Sequence, residues 1–213
     1  MLDITTWGHT LRTVVEVIGT VAFALSGILA GVRKRMDIFG ISVLGFLAAF
    51  GGGTLRDVLL DRRPFFWVAQ VEMLWAVLGL CAVSLLVLRW GRLPRVSDKA
   101  IQWADALGLG LFAATGVQYA LVAELPVVVA VVMGVVTGVF GGVMRDIACN
   151  QMPTAFADHR PYAVLAFVGG WVYVAGQWLG VPAWAALLAS TATTTGLRLL
   201  ALKLDWRLPG WRA

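Results

Sequence analysis

Charged residues are scarce in this chain of 213 amino acids: they make up 14% of it, whereas 60% of its residues are hydrophobic and its mean hydropathy is +0.83. Soluble domains carry about 25% charged residues. The shortage therefore excludes an ordinary soluble protein and predicts an integral membrane protein. The net charge of +5 does not indicate nucleic-acid binding, because that would require basic residues gathered on one water-facing surface.

Cysteine and histidine are also rare, with two of each. Cys81 and Cys149 fall within apolar segments, which predicts small buried side chains and not a disulfide or a metal site. His9 and His159 are far apart in the sequence and do not suggest a shared metal ion. Because the sequence contains no phosphate-binding loop, nucleophile elbow or paired-histidine motif, we expect neither catalysis nor a metal or other cofactor.

Seven apolar segments are long enough to cross about 30 Å of hydrocarbon. They cover roughly residues 13–32, 38–61, 66–88, 100–121, 126–150, 161–178 and 182–202. The connections between them are short and leave no room for a soluble domain, so residues 1–213 are predicted to form one all-α transmembrane domain. The first segment is interpreted as retained, because Asp3 and not a basic residue precedes it.

Basic residues near the span ends predict the orientation. If the N-terminus lies outside, eleven of them fall beside cytoplasmic ends: Arg33, Lys34, Arg35, Arg89, Arg92, Arg95, Lys99, Arg160, Lys203, Arg207 and Arg212. The outer side then holds three: Arg12, Arg62 and Arg63. The positive-inside rule therefore favours an outer N-terminus and a cytoplasmic C-terminus.

The motif Gly-Gly-x-x-Arg-Asp occurs twice, each time within an apolar span. The first copy contains Gly51, Gly52, Gly53, Arg56 and Asp57, and the second contains Gly141, Gly142, Arg145 and Asp146. Glycine inside a helix costs about 1 kcal/mol relative to alanine, and adjacent glycines favour a kink, so the second and fifth spans are predicted to be broken there. Intramembrane charges and freed backbone groups need partners, which makes these motifs the candidate functional site. Close helix packing is the alternative role for the glycines.

The two motifs belong to a longer internal repeat. A displacement of 89 residues aligns 16–64 with 105–153 without a gap, and it superposes several glycines and both Arg-Asp pairs. Three spans in each repeat would bring the second repeat into the membrane from the opposite side, which is the inverted-topology arrangement. We predict repeat one at about 12–89, repeat two at about 100–178 and a seventh helix at about 182–203, with residues 90–98 as the join.

The charged pairs raise the question of their partners. Neighbours at i and i+1 point about 100° apart on a helix, so Arg56 and Asp57, like Arg145 and Asp146, are expected to bind residues elsewhere. We predict reciprocal pairs across the repeats, Arg56 with Asp146 and Arg145 with Asp57. Such pairs would either line a path through the membrane or brace the two helices.

Other polar residues in the spans have simpler interpretations. The acids Glu16, Glu72 and Asp105 stand near the starts of apolar segments, where they would favour the helix dipole. The four hydroxyls of Thr191–Thr195 in the seventh span are expected to bond their own helix backbone.

Two inverted groups of three spans, a seventh helix and the doubled glycine motif resemble the prokaryotic TRIC channels. These are bacterial and archaeal relatives of the trimeric intracellular cation channels of animal endoplasmic and sarcoplasmic reticulum, and the resemblance covers about residues 12–203. It implies a homotrimer in the inner membrane, with a pore inside each subunit that passes monovalent cations, chiefly potassium. The pore and gating residues that it implies are Gly51, Gly52, Gly53, Arg56, Asp57, Gly141, Gly142, Arg145 and Asp146.

Two other functions stay open at this point. The same bacterial family has carried a glycine-transporter label, and a secondary transporter of a small solute such as glycine uses the same inverted-repeat principle. A non-conducting membrane scaffold would have a dry, fully packed centre. The charged residues in both central spans weigh against the scaffold, whereas the sequence barely separates channel from transporter.

Overall fold

The computed structural model describes residues 4–89 and 96–209, and all regular secondary structure in this part is helical. In chain order the helices are α1 (Ile4–Arg33), α2 (Ile38–Leu59), α3 (Phe66–Ala69), α4 (Val71–Arg89), α5 (Asp98–Val122), α6 (Val127–Ala148), α7 (Thr154–Ala157), α8 (Ala163–Trp178) and α9 (Ala183–Leu204). Most of the predicted join at 90–98 and three of the basic residues that predict the orientation, Arg92, Arg95 and Arg212, lie outside the described residues.

The helix lengths fit an all-α membrane fold. Five helices are long and apolar enough to cross a membrane, namely α1 from Arg12 onward, α2, α5, α6 and α9. The third and sixth predicted spans correspond to the shorter apolar helices α4 and α8. Since α8 has 16 residues and a helix rises 1.5 Å per residue, it is about 24 Å long. The count of seven spans therefore stays a prediction. The third predicted span, 66–88, is divided between two helices, because Gln70 leaves the helical conformation and separates α3 from α4.

The chain ends corresponding helices in the same way. Left-handed backbone follows α1 at Arg35 and α5 at Glu124, and it follows α2 at Asp61 and α6 at Asn150, with φ between 48° and 57°. A left-handed residue just after a helix is a common way to terminate it. Both pairs are separated by 89 residues (124 − 35 and 150 − 61), so the local turn geometry follows the displacement found in the sequence.

Helices α2 and α6 cross at the glycine motifs, and both continue through them as unbroken α-helices. A Cβ atom on Gly52 would overlap the carbonyl oxygen of Thr137, and a Cβ atom on Gly141 would overlap that of Ala48. The predicted breaks in the second and fifth spans are therefore wrong. A helix in lipid keeps its internal hydrogen bonds because no water can replace them, and the glycines instead allow two backbones to approach closely.

Helices α1 and α5 pack through a second reciprocal contact. A Cβ atom on Gly108 would lie 2.7 Å from the Phe23 ring, and one on Gly19 would lie 3.0 Å from the Phe112 ring. The centres of the two rings are 5.6 Å apart. These glycines are packing residues, and α1, α2, α5 and α6 together form the centre of the molecule.

Hydroxyl groups on α9 attach this helix to α5 and α8. The donors and acceptors are Ser190 to the Gly169 carbonyl, Thr191 to Gly110, Thr194 to Leu165 and Thr195 to Ala106, at 2.7–3.5 Å. The expectation that these hydroxyls bond their own helix backbone is wrong for Thr191, Thr194 and Thr195, because the carbonyl oxygens of neighbouring helices come within reach. The seventh predicted span therefore packs mainly on the second half of the chain.

Candidate functional site

The Arg145 cluster surrounds the second glycine motif and consists of Arg145, Asp146, Asp105, Ser26 and Thr154. The Arg145 Nε donates to Oδ1 of Asp146 at 2.8 Å. Its Nη1 donates to Oδ1 of Asp105 at 2.6 Å and also to the Ser26 hydroxyl. The backbone N–H and the hydroxyl of Thr154 both donate to Oδ2 of Asp146, at 2.8 and 2.6 Å. One buried guanidinium group is therefore held by two carboxylates from α5 and α6 and by a hydroxyl from α1.

The Arg56 cluster surrounds the first motif and consists of Arg56, Asp57, Glu16, Phe66 and Tyr119. The Arg56 Nε donates to Oδ1 of Asp57 at 2.9 Å, and its Nη1 lies 3.6 Å from Oε1 of Glu16. The Arg56 Cζ lies 4.1 Å from the centre of the Tyr119 ring, and the Phe66 N–H donates to Oδ2 of Asp57 at 2.7 Å. Among the described residues, both Nη atoms of Arg56 and both carboxylate oxygens of Glu16 lack a hydrogen-bond partner. This cluster is buried but incompletely bonded.

The observed ion pairs correct two interpretations of the sequence. Each arginine binds the aspartate beside it, and the predicted cross-repeat pairs of Arg56 with Asp146 and of Arg145 with Asp57 are not among the ion pairs in the described part of the chain. The 100° argument fails because an arginine side chain is long enough to reach the carboxylate of the next residue, with Nε–Oδ1 distances of 2.9 and 2.8 Å. Glu16 is not a helix-dipole residue either, since α1 begins twelve residues earlier at Ile4.

A polar cavity of about 170 Å³ reaches the Arg145 cluster. Its walls include the half-exposed pair Arg33 and Asp98 and the buried Asp105, Arg145 and Asp146. A water molecule occupies about 30 Å³ in the liquid, so the cavity has room for a few waters or a partly hydrated ion. It therefore connects an exposed pair of charges with the buried charges of the second motif.

Arg198 of α9 also lines this cavity, and sequence reasoning missed it. Its side chain is buried, and its Nη1 donates to the Pro161 carbonyl at 2.9 Å while Nη2 lies 3.4 Å from Oδ2 of Asp158. The available signal was a single charge inside an apolar span, which is costly in lipid and marks a functional candidate. No comparable signal existed for Ser26 or Tyr119, which are ordinary residues in apolar helices.

The glycines of the two motifs serve helix packing, whereas the charged residues of the motifs form the two clusters. Gly52 and Gly141 form the helix crossing, Gly53 lies against the Phe66 ring, and Gly142 lies beside Asp105. Gly51 is half-buried and borders an apolar groove.

The two charge clusters lie at different levels along α1, because the Arg56 cluster contacts Glu16 and the Arg145 cluster contacts Ser26. Ten residues of helix span about 15 Å. The structure thus places one charge cluster on each side of the glycine crossing.

The sequence matches a family model described as Glycine transporter over residues 13–89 and again over residues 102–178. Both ends of the second match are displaced by 89 residues from the first (102 − 13 and 178 − 89). The UPF0126 membrane protein of Vibrio cholerae is 34% identical over 93% of this chain and 82% of that protein. The UPF0126 inner membrane protein YadS of Escherichia coli is 35% identical over 91% of this chain and 93% of that protein.

Solved structures share the fold. The TRIC trimeric intracellular cation channel orthologue from Rhodobacter sphaeroides superposes with a TM-score of 0.83 and 34% identity, covering 92% of this chain and all of that one. A structure described as the basis for conductance through TRIC cation channels gives a TM-score of 0.82 and 36% identity over 94% of this chain and 97% of that one. A prokaryotic TRIC channel in 0.5 M KCl gives 0.83 and 27% identity.

Proposed function

The chain belongs to the TRIC family, and from this membership we propose that it is a channel for monovalent cations, chiefly potassium, with a pore inside each subunit between its two repeats. The observation that carries the proposal is the cavity that reaches the Arg145 cluster. A second charge cluster lies beyond the glycine crossing, around Arg56. Buried charges on both sides of one crossing are costly in lipid, and such charges commonly mark a path for ions.

The proposed path is lined by side chains and not by unwound backbone. Helices α2 and α6 are continuous at the glycines, so their backbone carbonyls stay engaged in the helix. Oxygens for a partly hydrated cation would come from Asp105, Asp146 and the Thr154 hydroxyl, with water completing the shell. The glycines Gly52 and Gly141 would instead set how closely the two helices approach.

The charges at the deep end of the cavity favour a cation there. Arg33, paired with Asp98, and Lys34 lie at the exposed mouth of the cavity. Deeper in, Arg198 pairs with Asp158, and Arg145 faces two carboxylates. Two carboxylates and one guanidinium group give these three side chains a formal charge of about −1, since arginine is charged at any accessible pH. Arg145 therefore limits the negative potential without reversing its sign.

The first test is to record the purified protein in a planar bilayer under a potassium chloride gradient. We expect discrete openings whose reversal potential moves toward the potassium equilibrium potential, and Arg145→Ala should change the conductance or the open probability. Silence across voltages and lipid compositions would refute the channel. Unchanged currents in folded Arg145→Ala protein would assign this residue to the architecture alone.

A secondary transporter of a small solute is the second candidate, and the description of the matching family model as Glycine transporter is the observation that favours it. Uptake of radiolabelled glycine into proteoliposomes would then saturate and show counterflow. Unitary currents far faster than an alternating-access cycle would exclude this mechanism.

We also propose a homotrimer in the bacterial or archaeal inner membrane with its N-terminus outside. The solved relative from Rhodobacter sphaeroides, which is described as trimeric, supports the assembly, and the relative named an inner membrane protein supports the location. Cross-linking in membranes should give a trimer band. A cysteine at Arg35 should react with an impermeant reagent only from the cytoplasmic side.

A further inference from the structure

The two charge clusters are built alike but differ in their access to water. Around Arg145, the side chains of Arg145, Asp105 and Asp146 keep 5%, 6% and 10% of their surface exposed. The side chains of Arg56 and Glu16 in the other cluster are fully buried. The same arrangement of arginine and acids is therefore open at one end of the molecule and sealed at the other.

The displacement of 89 residues shows what fills the sealed end. Three residues that line the cavity correspond to larger residues in the Arg56 cluster or beside it. The pairs are Ala30 with Tyr119, Cys149 with Leu60 and Gln151 with Arg62, whereas Arg33, Lys34 and Gln102 at the cavity correspond to the smaller Val122, Ala123 and Thr13. The largest increase in volume is from Ala30 to Tyr119, because a phenol ring replaces a methyl group.

At the Arg56 end, Tyr119 occupies the place that corresponds to the cavity at the Arg145 end. Its side chain lies on α5 and is 5% exposed. The guanidinium carbons of Arg56 and Arg62 lie 4.1 and 4.0 Å from the ring centre, and that of Arg12 lies at 5.0 Å. A guanidinium group within about 6 Å of an aromatic centre is attracted to the ring face. Three cations from α1, α2 and the turn after α2 therefore surround one ring, and one of them, Arg56, also faces Glu16.

Arg62 forms the outer layer of this seal. Its side chain is 40% exposed, and its Nη1 lies 3.5 Å from Oδ1 of Asp57. The corresponding residue at the open end, Gln151, is exposed and lines the cavity. Arg62 thus connects the ring to the buried carboxylate, whereas a shorter neutral side chain occupies this position at the other end.

We propose that Tyr119 is the plug of the ion pathway at the Arg56 end, and that Ala30 keeps the opposite end open because it is the matching position without a ring. The role in conduction rests on the proposed channel function. That the ring fills this space does not rest on the channel function, since it follows from the positions of the side chains alone. Removing the ring should open a second vestibule down to Glu16.

Thiol accessibility tests the plug without requiring ion flow. In a background with Cys81→Ser and Cys149→Ser, a cysteine is placed at Glu16 or, as the matched open-end reference, at Asp105. A positively charged methanethiosulfonate reagent should modify Asp105→Cys equally with and without Tyr119→Ala. It should modify Glu16→Cys at least tenfold faster when Tyr119→Ala is present. Equal Glu16→Cys rates in the two backgrounds would overturn the proposal.

Two further variants separate the ring from other effects. Tyr119→Phe keeps the ring and loses the hydroxyl, so it should protect Glu16→Cys as the parent does; rapid modification would assign the seal to the hydroxyl and refute the plug. Tyr119→Val replaces Tyr119→Ala as the ring-free variant if the alanine protein does not fold as the parent oligomer. The same rate increase is expected with Val.

Bilayer recording links the plug to conduction. Tyr119→Ala should raise the open probability or the unitary conductance at least threefold, and Ala30→Tyr should lower it by a similar factor. If the parent protein carries no current but Tyr119→Ala still speeds the modification of Glu16→Cys, the channel is refuted and the plug is supported. A conducting parent whose accessibility and currents are unaffected by Tyr119→Ala would refute the plug and support the channel.

Discussion

Replacing Gly52 or Gly141 with alanine should force α2 and α6 apart. Each added Cβ atom would overlap a backbone carbonyl oxygen of the facing helix, at Thr137 or Ala48, whereas real Cβ atoms essentially never come closer than 3.0 Å to another heavy atom. A backbone oxygen cannot rotate away as a flexible side chain can. The two helices would therefore have to separate by about 1 Å at their closest point, which also disturbs the charge clusters on either side.

The expected cost follows from overpacking. Inserting a methyl group into a well-packed interior costs about 1–3 kcal/mol. A protein of 150–250 residues loses about 2–4 °C in Tm for each kcal/mol, so we expect Gly52→Ala or Gly141→Ala to lower the Tm by about 2–12 °C. This range applies to overpacking alone. The intrinsic helix preference for alanine over glycine, about 1 kcal/mol, opposes it, so the net lowering relative to the parent is about 0–8 °C.

Gly79→Ala supplies the matched control. Gly79 lies on α4, and a Cβ atom there would meet no atom within 4 Å, so this variant reports the helix preference alone. Thermal unfolding of the purified proteins in one detergent measures all three. If Gly52→Ala and Gly141→Ala unfold at the same temperature as Gly79→Ala, the crossing is not close-packed. The glycines would then have to be explained as a hinge.

Three shorter predictions concern polar contacts. Arg145→Ala should destabilise the protein by about 3–5 kcal/mol because it leaves buried carboxylates without a cation, and adding Asp105→Asn should restore part of the loss in a double-mutant cycle. Ser190→Ala should cost about 0.5–1.5 kcal/mol, seen as a lower Tm, by removing a hydrogen bond between α9 and α8. Hydrogen bonds from Arg160 and Arg207 lower the pKa of Asp205, so its contribution to stability is present at neutral pH and is lost as the pH falls through that lowered pKa. NMR titration should show an upward shift of this pKa in Arg160→Ala, and an unchanged midpoint would refute the assigned cause.

The membrane class and the family could be predicted from the sequence because they depend on local properties. Hydrophobicity over about 20 residues identifies a helix in lipid without reference to the rest of the chain. The doubled Gly-Gly-x-x-Arg-Asp motif identified the residues that form the crossing and the two charge clusters, since glycine and intramembrane charge are costly wherever they stand. The displacement of 89 residues reappears in the turns after α1, α2, α5 and α6.

The state of the backbone at the glycines could not be predicted, because it depends on the facing helix. A glycine cluster permits either a break in its own helix or a close approach of another helix. Here the helices approach closely, because the Thr137 and Ala48 carbonyl oxygens lie against Gly52 and Gly141. The partners of Arg56 and Arg145 were likewise undetermined. A charge in lipid takes whichever acid the neighbouring helices bring within reach, here Glu16 and Asp105.

The sequence by itself therefore determined that this protein is a helical membrane protein of the TRIC family with two costly, repeated charge motifs. The tertiary structure decided that the helices stay continuous and that each arginine keeps its own aspartate. It also decided that the Arg145 end is open and the Arg56 end is sealed. The physical reason is that these last properties depend on which side chains of other helices contact each cluster. Tyr119 of α5 lies against Arg56 of α2, whereas Ala30 of α1, at the matching position, lines the cavity.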